Sequence, residues 1–155
     1  MRETVTIAPQ VQTETAPQKE KKRIGIFGGT FNPPHIGQLV LAESVGRQLG
    51  LEKVYWMPNA QPVDGTHASA IAPSYRMQMV HLAITDNAFF DIELLEIRNG
   101  GESHTFDTMR ELVSLHPENE YYFILGAEKI NTLATWDHID ELSQLVTFAA
   151  GVREG

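Results

Sequence analysis

Arg23-Ile-Gly-Ile-Phe-Gly-Gly-Thr-Phe-Asn-Pro-Pro-His-Ile-Gly-Gln38 reads as a short apolar strand, a glycine turn and the opening of a helix. Gly28 and Gly29 carry no side chain, so backbone N–H groups there can approach an anion closely. The first N–H groups of a helix have no partner within it, and its dipole favours negative charge. His35, at the helix mouth, adds a donor that is neutral or cationic. A strand-to-helix turn uses Gly and Pro for purely structural reasons too. The full Gly-Gly-Thr-Phe-Asn-Pro-Pro-His-Ile-Gly run is more particular than turn chemistry requires, and a phosphate site is the reading it supports. It is not a Walker loop, because no Gly-Lys-Ser/Thr follows. It is not the dinucleotide fingerprint of dehydrogenases either, because G-x-G-x-x-G is absent.

Working outward, the pattern alternates strand and helix. Strands are expected at 23–27, 54–58, 90–97, 121–125 and 145–150. Ile36–Leu49 places Leu39, Val40, Ala42, Val45 and Leu49 at roughly helical spacing, with Gly50 as a stop. Pro73–Thr85 fits a helix with Met77, Val80 and Ile84 on one side. Thr105–His116 fits another, ended by Pro117. Short helices are expected at 127–135 and 138–142, around Trp136. Strands interleaved with helices imply a parallel sheet of five strands, covered on both faces. Ligands then bind at the carboxyl ends of the strands, where strand order reverses.

Composition sets outer bounds. The chain has 155 residues, 42% of them apolar and 21% charged, as one soluble domain would have. Its formal net charge of -8 argues against a general nucleic-acid or anionic-membrane surface. With no cysteine, thiolate catalysis, disulfides and cysteine–zinc sites are excluded, and a reducing cytoplasm is compatible. No apolar run approaches the roughly 20 residues of a membrane helix. Residues 1–22 are rich in Thr, Gln, Pro, Glu and Lys and read as a disordered tail. His81, His116 and His138 show no ligand-like pairing. Asp86, Glu93, Glu96 and Asp140 read as solvated or capping charges.

The GGTFNPPHIG segment resembles the nucleotidyltransferase superfamily marked by H-x-G-H, and in particular bacterial nicotinate-nucleotide adenylyltransferases. The resemblance runs from Arg23 nearly to the end of the chain. It implies a Rossmann-like nucleotidyltransferase fold over residues 23–155. The activity implied is adenylyl transfer from ATP to nicotinate mononucleotide, with Mg2+ arriving on ATP and pyrophosphate leaving. Gly28, Gly29, Thr30, Phe31 and Gly37 would then hold ATP phosphates, with His35 and the residue at position 38 as catalytic groups. Ser103-His-Thr-Phe-Asp-Thr108 resembles the family's S-Y-T-x-D-T, which implies that Thr105 holds the nicotinate carboxylate. Gly126-Ala-Glu-Lys-Ile-Asn-Thr-Leu-Ala-Thr-Trp136 resembles G-A-D-x-x-x-x-L-x-x-W. That implies pyridine stacking on Trp136 and a nucleotide contact from Glu128.

The chain also departs from this pattern. Gln38 takes the place of the second histidine, and a glutamine cannot become a cation. Asn32 and Glu128 stand where the family has Asp, and His104 where it has Tyr. After Met57-Pro-Asn-Ala-Gln-Pro62 the family's His-Lys pair is missing: Val63 and Asp64 follow, and His67 is the nearest substitute. Nothing matches the later I-S-S-T-x-I-R phosphate grip, so the usual C-terminal segment is expected to be lacking. Two other readings therefore stay open at this level. One is a catalytically weak or silent nucleotide-binding relative. The other is a nucleotidyltransferase for a different phosphorylated substrate.

Overall fold

The structure, a computed structural model, describes residues 2–7, 20–61 and 71–153. Six strands form one sheet in the order β1-β6-β5-β2-β3-β4. They are β1 (Arg2–Ile7), β2 (Lys22–Gly29), β3 (Lys53–Pro58), β4 (Phe90–Ile92), β5 (Asn119–Leu125) and β6 (Val146–Arg153). Strands β2 to β6 run parallel, and β1 pairs antiparallel with β6 at the edge. The five-stranded parallel sheet is thus present, with one strand added. At 2–7 and at Lys22 this differs from the disordered tail expected over 1–22: Arg2 to Ile7 lie opposite Arg153 to Phe148, and Lys22 already belongs to β2. An edge strand needs only one neighbour, and its six residues find it in β6. Residues 8–19 lie outside the described residues.

Both faces of the sheet are buried, and the strands alternate between them. Tyr121, Phe123 and Leu125 join a core with Met109, Leu112 and Leu142. Tyr122 and Ile124 join the opposite core, with Ala42, Val45, Val80 and Ile84. This two-residue period distributes a nearly continuous apolar run to two layers. Helices α1 (Ile36–Gln48) and α2 (Pro73–Ile84) cover the second face. Helices α4 (Thr105–Leu115) and α6 (Ile139–Leu145) cover the first. Helix α1 ends in a Schellman motif. Gly50 has a φ of 65°, its N–H reaches Arg47, and the N–H of Leu51 reaches Gly46. Val40, expected on the core side of α1, is 47% exposed.

One expected strand is shorter than its sequence suggested. Strand β4 stops at Ile92, and Leu95–Asn99 turns into the short helix α3. The Glu93 carboxylate accepts the N–H of Leu95, a side-chain cap that ends the strand and starts the helix. Beyond it, α5 (Ala127–Ile130) and a single 3-10 turn (Leu133–Thr135) lead to Trp136. Among the described residues no helix is long and apolar enough to cross a membrane.

The order of strands fixes where a ligand can sit. From β2 the chain moves outward through β3 to β4, then returns to β5 on the other side of β2. The reversal falls between β2 and β5, so the glycine loop after β2 and Gly126 after β5 flank one crevice.

Candidate active site at the β2/β5 crevice

The loop after β2 is anchored in the core by Phe31. Its φ is 51°, a left-handed conformation uncommon away from glycine. The ring, 3% exposed, lies 5.4 Å from the Phe27 ring and 5.1 Å from the Trp56 ring. Burial of an aromatic ring offsets the local backbone cost of about 1 kcal/mol or more. A Cβ on Gly29 would stand 3.1 Å from Phe31, and one on Gly28 would stand 3.0 Å from Phe123. These glycines therefore serve packing as well as any approach of an anion.

His35 is the N-cap of α1 and is exposed. Its backbone N–H donates to Gln38 Oε1 at 3.0 Å, and the Gln38 N–H donates to the His35 carbonyl at 3.0 Å. Gln38 thus occupies the third helical position of a capping box, where Glu and Gln are the favoured residues. Gly37 lies in the same first turn.

A polar network ties this loop to its neighbours. Asn59 donates its backbone N–H to the Gly29 carbonyl at 3.0 Å and its side-chain amide to Thr30 Oγ1 at 3.1 Å. Arg76, the fourth residue of α2, is fully buried. Its guanidinium donates to the carbonyls of Thr30 (2.7 Å), Ile71 (2.9 Å) and Ala60 (3.0 Å), and to Asn59 Oδ1 (3.3 Å). Asn32 Oδ1 accepts the Ile71 N–H at 3.3 Å, so an amide in place of an aspartate still holds the turn.

On the other side of the crevice, Phe123 connects the glycine loop to Trp136. Its ring lies beneath Gly28 and stands edge-on to the Trp136 indole, with centroids 6.0 Å apart. Trp136 is half-buried, with Phe148 also edge-on at 6.3 Å, and its Nε1 donates to Thr132 Oγ1 at 3.3 Å. Next to it, the Asp137 carboxylate pairs with His104 Nδ1 at 3.1 Å. His104 caps α4, whose first residue is the half-buried Thr105. The histidine in the tyrosine position therefore joins the start of α4 to the Trp136 segment. Glu128 is exposed at the start of α5, its carboxylate folded back over Gly126.

The structure thus carries the expected residues on two neighbouring clusters. Gly28, Gly29, Thr30, Phe31, His35, Gly37 and Gln38 lie on one, and Thr105, Glu128 and Trp136 on the other. Val63, Asp64 and His67 lie outside the described residues. A polar cleft of about 600 Å³ follows the flank of α4, bordered by Asn99, Glu102, His104, Thr108 and Glu111. The glycine loop does not border it. Two residues of the network were not singled out by the sequence: Asn59, a variable position of the Met57–Pro62 run, and Arg76, which lies in no motif. One expectation is corrected outright: Glu96 is not a solvated charge. It is 6% exposed, and burial raises its pKa to about 7 although Thr108 Oγ1 donates to it at 2.9 Å.

Comparison with known proteins places the chain by family and fold. Residues 26–154 match the cytidylyltransferase-like family model. The chain is 49% identical over 148 residues to a probable nicotinate-nucleotide adenylyltransferase of Lactiplantibacillus plantarum, covering 96% of this chain and 70% of that one. It is 43% identical over 133 residues to the protein of the same name from Geobacillus kaustophilus, covering 86% and 62%. This chain therefore spans roughly two thirds of the length of these relatives. Among solved structures, a putative nicotinate-nucleotide adenylyltransferase from Vibrio parahaemolyticus shares the fold with a TM-score of 0.70 at 21% identity, covering 83% of this chain and 72% of that one. The Plasmodium falciparum nicotinic acid mononucleotide adenylyltransferase complexed with NaAD shares it with a TM-score of 0.66 at 22% identity, covering 78% and 60%. The chain belongs to the cytidylyltransferase-like family and, within it, to the nicotinate-nucleotide adenylyltransferases.

Proposed function

We propose that the protein transfers the adenylyl group of ATP to nicotinate mononucleotide. The phosphate of the mononucleotide attacks the α-phosphorus of MgATP. A new P–O bond forms, the bond to the bridging oxygen breaks, and pyrophosphate leaves. The nucleophile is already an anion, so the protein needs no nucleophile of its own. Its task is to align two anions and stabilise charge as it develops. Magnesium rides on the ATP phosphates. Backbone N–H groups of the Gly28–Phe31 loop and the α1 terminus, with His35, suit the phosphates. Thr105 at the start of α4 suits the nicotinate carboxylate, and Trp136 offers a ring to stack on the pyridine. In this reading Glu128 contacts the nucleotide, and the site serves cytoplasmic synthesis of pyridine dinucleotides.

The observation that carries this reading is the Gly28–Phe123–Trp136 succession. One aromatic ring contacts both the glycine loop and Trp136, which supports reading the two as parts of one site. The relatives' names and the NaAD complex of the Plasmodium protein support the same substrates. A specific observation also favours slow turnover. Gln38 Oε1 is engaged by the His35 backbone, and position 38 offers ATP only a neutral amide. The test is incubation with MgATP and nicotinate mononucleotide while pyrophosphate release is followed. Release that depends on both substrates is expected. Its absence, with ATP binding retained by calorimetry, would leave a silent nucleotide-binding relative.

A further inference from the structure

We propose that Arg76 is a positioning residue of the ATP phosphate site, acting through the Thr30–Phe31 peptide. The inference rests on reading the glycine loop as that site. Arg76 shares its helix face with Val80 and Ile84, both buried and apolar. A leucine or methionine would suit that face. Instead a guanidinium is taken out of water, and desolvation lowers its pKa. Among the described residues its partners are three backbone carbonyls and one amide oxygen, with no carboxylate. Such a cation is costly to bury unless its hydrogen bonds are good.

The placement of those partners gives the residue its role. Thr30 belongs to the loop after β2, Asn59 and Ala60 to the loop after β3, and Ile71 to the approach to α2. One side chain therefore binds three segments around the carboxyl ends of β2 and β3. Its shortest bond, 2.7 Å, is to the Thr30 carbonyl. In a trans peptide the carbonyl and the following N–H point in opposite directions. Holding the Thr30 oxygen towards Arg76 turns the Phe31 N–H away from it. The Gly29 carbonyl is held towards β3 by the Asn59 N–H. By the same geometry the Thr30 N–H faces the β5 side, where the crevice lies. A charged donor on the carbonyl also polarises the peptide and makes the Phe31 N–H a stronger donor. Arg76 never needs to touch ATP.

The test compares the wild-type protein with Arg76→Lys and Arg76→Gln. Lysine keeps the charge but cannot span three segments; glutamine loses the charge. Three readouts are taken: affinity for a non-hydrolysable ATP analogue, KM for each substrate, and the amide resonances of Thr30, Phe31, Thr105 and Trp136. The expected result is a loss of ATP-analogue affinity of at least about tenfold in Arg76→Gln, and a smaller loss in Arg76→Lys. KM for nicotinate mononucleotide should stay within about threefold. The Thr30 and Phe31 amides should shift while those of Thr105 and Trp136 stay in place. Unchanged ATP affinity, an equal rise in both KM values, or failure of both variants to fold would overturn the inference. A wild-type protein that binds no ATP overturns the reading of the loop instead. The amide shifts then still report whether Arg76 sets the loop conformation.

Discussion

Gln38 Oε1 accepts the backbone N–H of His35 at 3.0 Å, closing the first turn of α1 on itself. The residue that departs from the family's second histidine therefore has a local task. Removing it with Gln38→Ala should cost about 1 kcal/mol, a fall in Tm of about 2–4 °C, measured by calorimetry. Gln38→His should show a similar fall, because the cap bond is lost. It should nevertheless raise pyrophosphate release about tenfold or more, since a cationic donor then meets the leaving group. A Gln38→His protein no faster than its parent would show that position 38 does not limit the reaction.

Three glycines separate packing from conformation. A Cβ at Gly28 presses on Phe123, and one at Gly29 on Phe31. Gly28→Ala and Gly29→Ala should both weaken ATP binding at least about tenfold by calorimetry. Gly50 has open space around it but a φ of 65°. Gly50→Ala should cost about 1 kcal/mol in stability through backbone strain and leave ATP affinity unchanged.

The buried Glu96 makes stability depend on pH. Its folded pKa of about 7 lies above the ordinary glutamate value of 4.5. Between these values the folded state binds the extra proton, so stability is fully present below about pH 4.5 and is lost as pH rises through 7. The span corresponds to roughly 3 kcal/mol. Glu96→Gln should flatten the profile between pH 5 and 8 and raise Tm at pH 8. Thermal unfolding across that range measures it, and an unchanged slope would assign the pH dependence to other groups.

Trp136 should report on pyridine binding. Nicotinate mononucleotide at millimolar concentration is expected to quench tryptophan fluorescence in the wild-type protein and not in Trp136→Phe. Trp56 is fully buried among Phe27, Phe31 and Phe90 and supplies a constant background. Equal quenching in both proteins would place the ligand elsewhere.

Deleting residues 1–19 removes β1 and leaves β6 as an unprotected edge. The shortened chain should melt several degrees lower and aggregate more readily on heating, read by light scattering. An unchanged melting curve would mean that β1 contributes nothing to the sheet.

The parallel sheet was legible because its evidence is periodic. Tyr121 to Leu125 and Val54 to Met57 are short apolar runs that recur between helical stretches, the pattern of strands buried on both faces. The glycine loop was legible because its composition is unusual. The burial of Glu96 was not, because a carboxylate that caps a turn, as Glu93 does, and one buried under a helix look alike in a sequence. Glu96 takes its environment from Thr108, twelve positions away. Arg76 was hidden for the same reason. On a helical wheel it sits beside Val80 and Ile84, yet its partners come from segments up to 46 positions distant. The role of Arg2–Ile7 depended on β6, at the opposite end of the chain.

Phe31 belongs at once to the glycine loop and to the aromatic group of Phe27 and Trp56. Such a loop has no opening motion of its own, because releasing it means extracting a ring from the interior. Amide exchange at Thr30 and Phe31 should therefore wait for the same cooperative event that exposes the central strands, and slow as the whole molecule is stabilised. Adaptation of the site is bound by the same link. A change in the volume of Trp56 is felt at the phosphate loop, so the fold and the nucleotide chemistry must evolve together there.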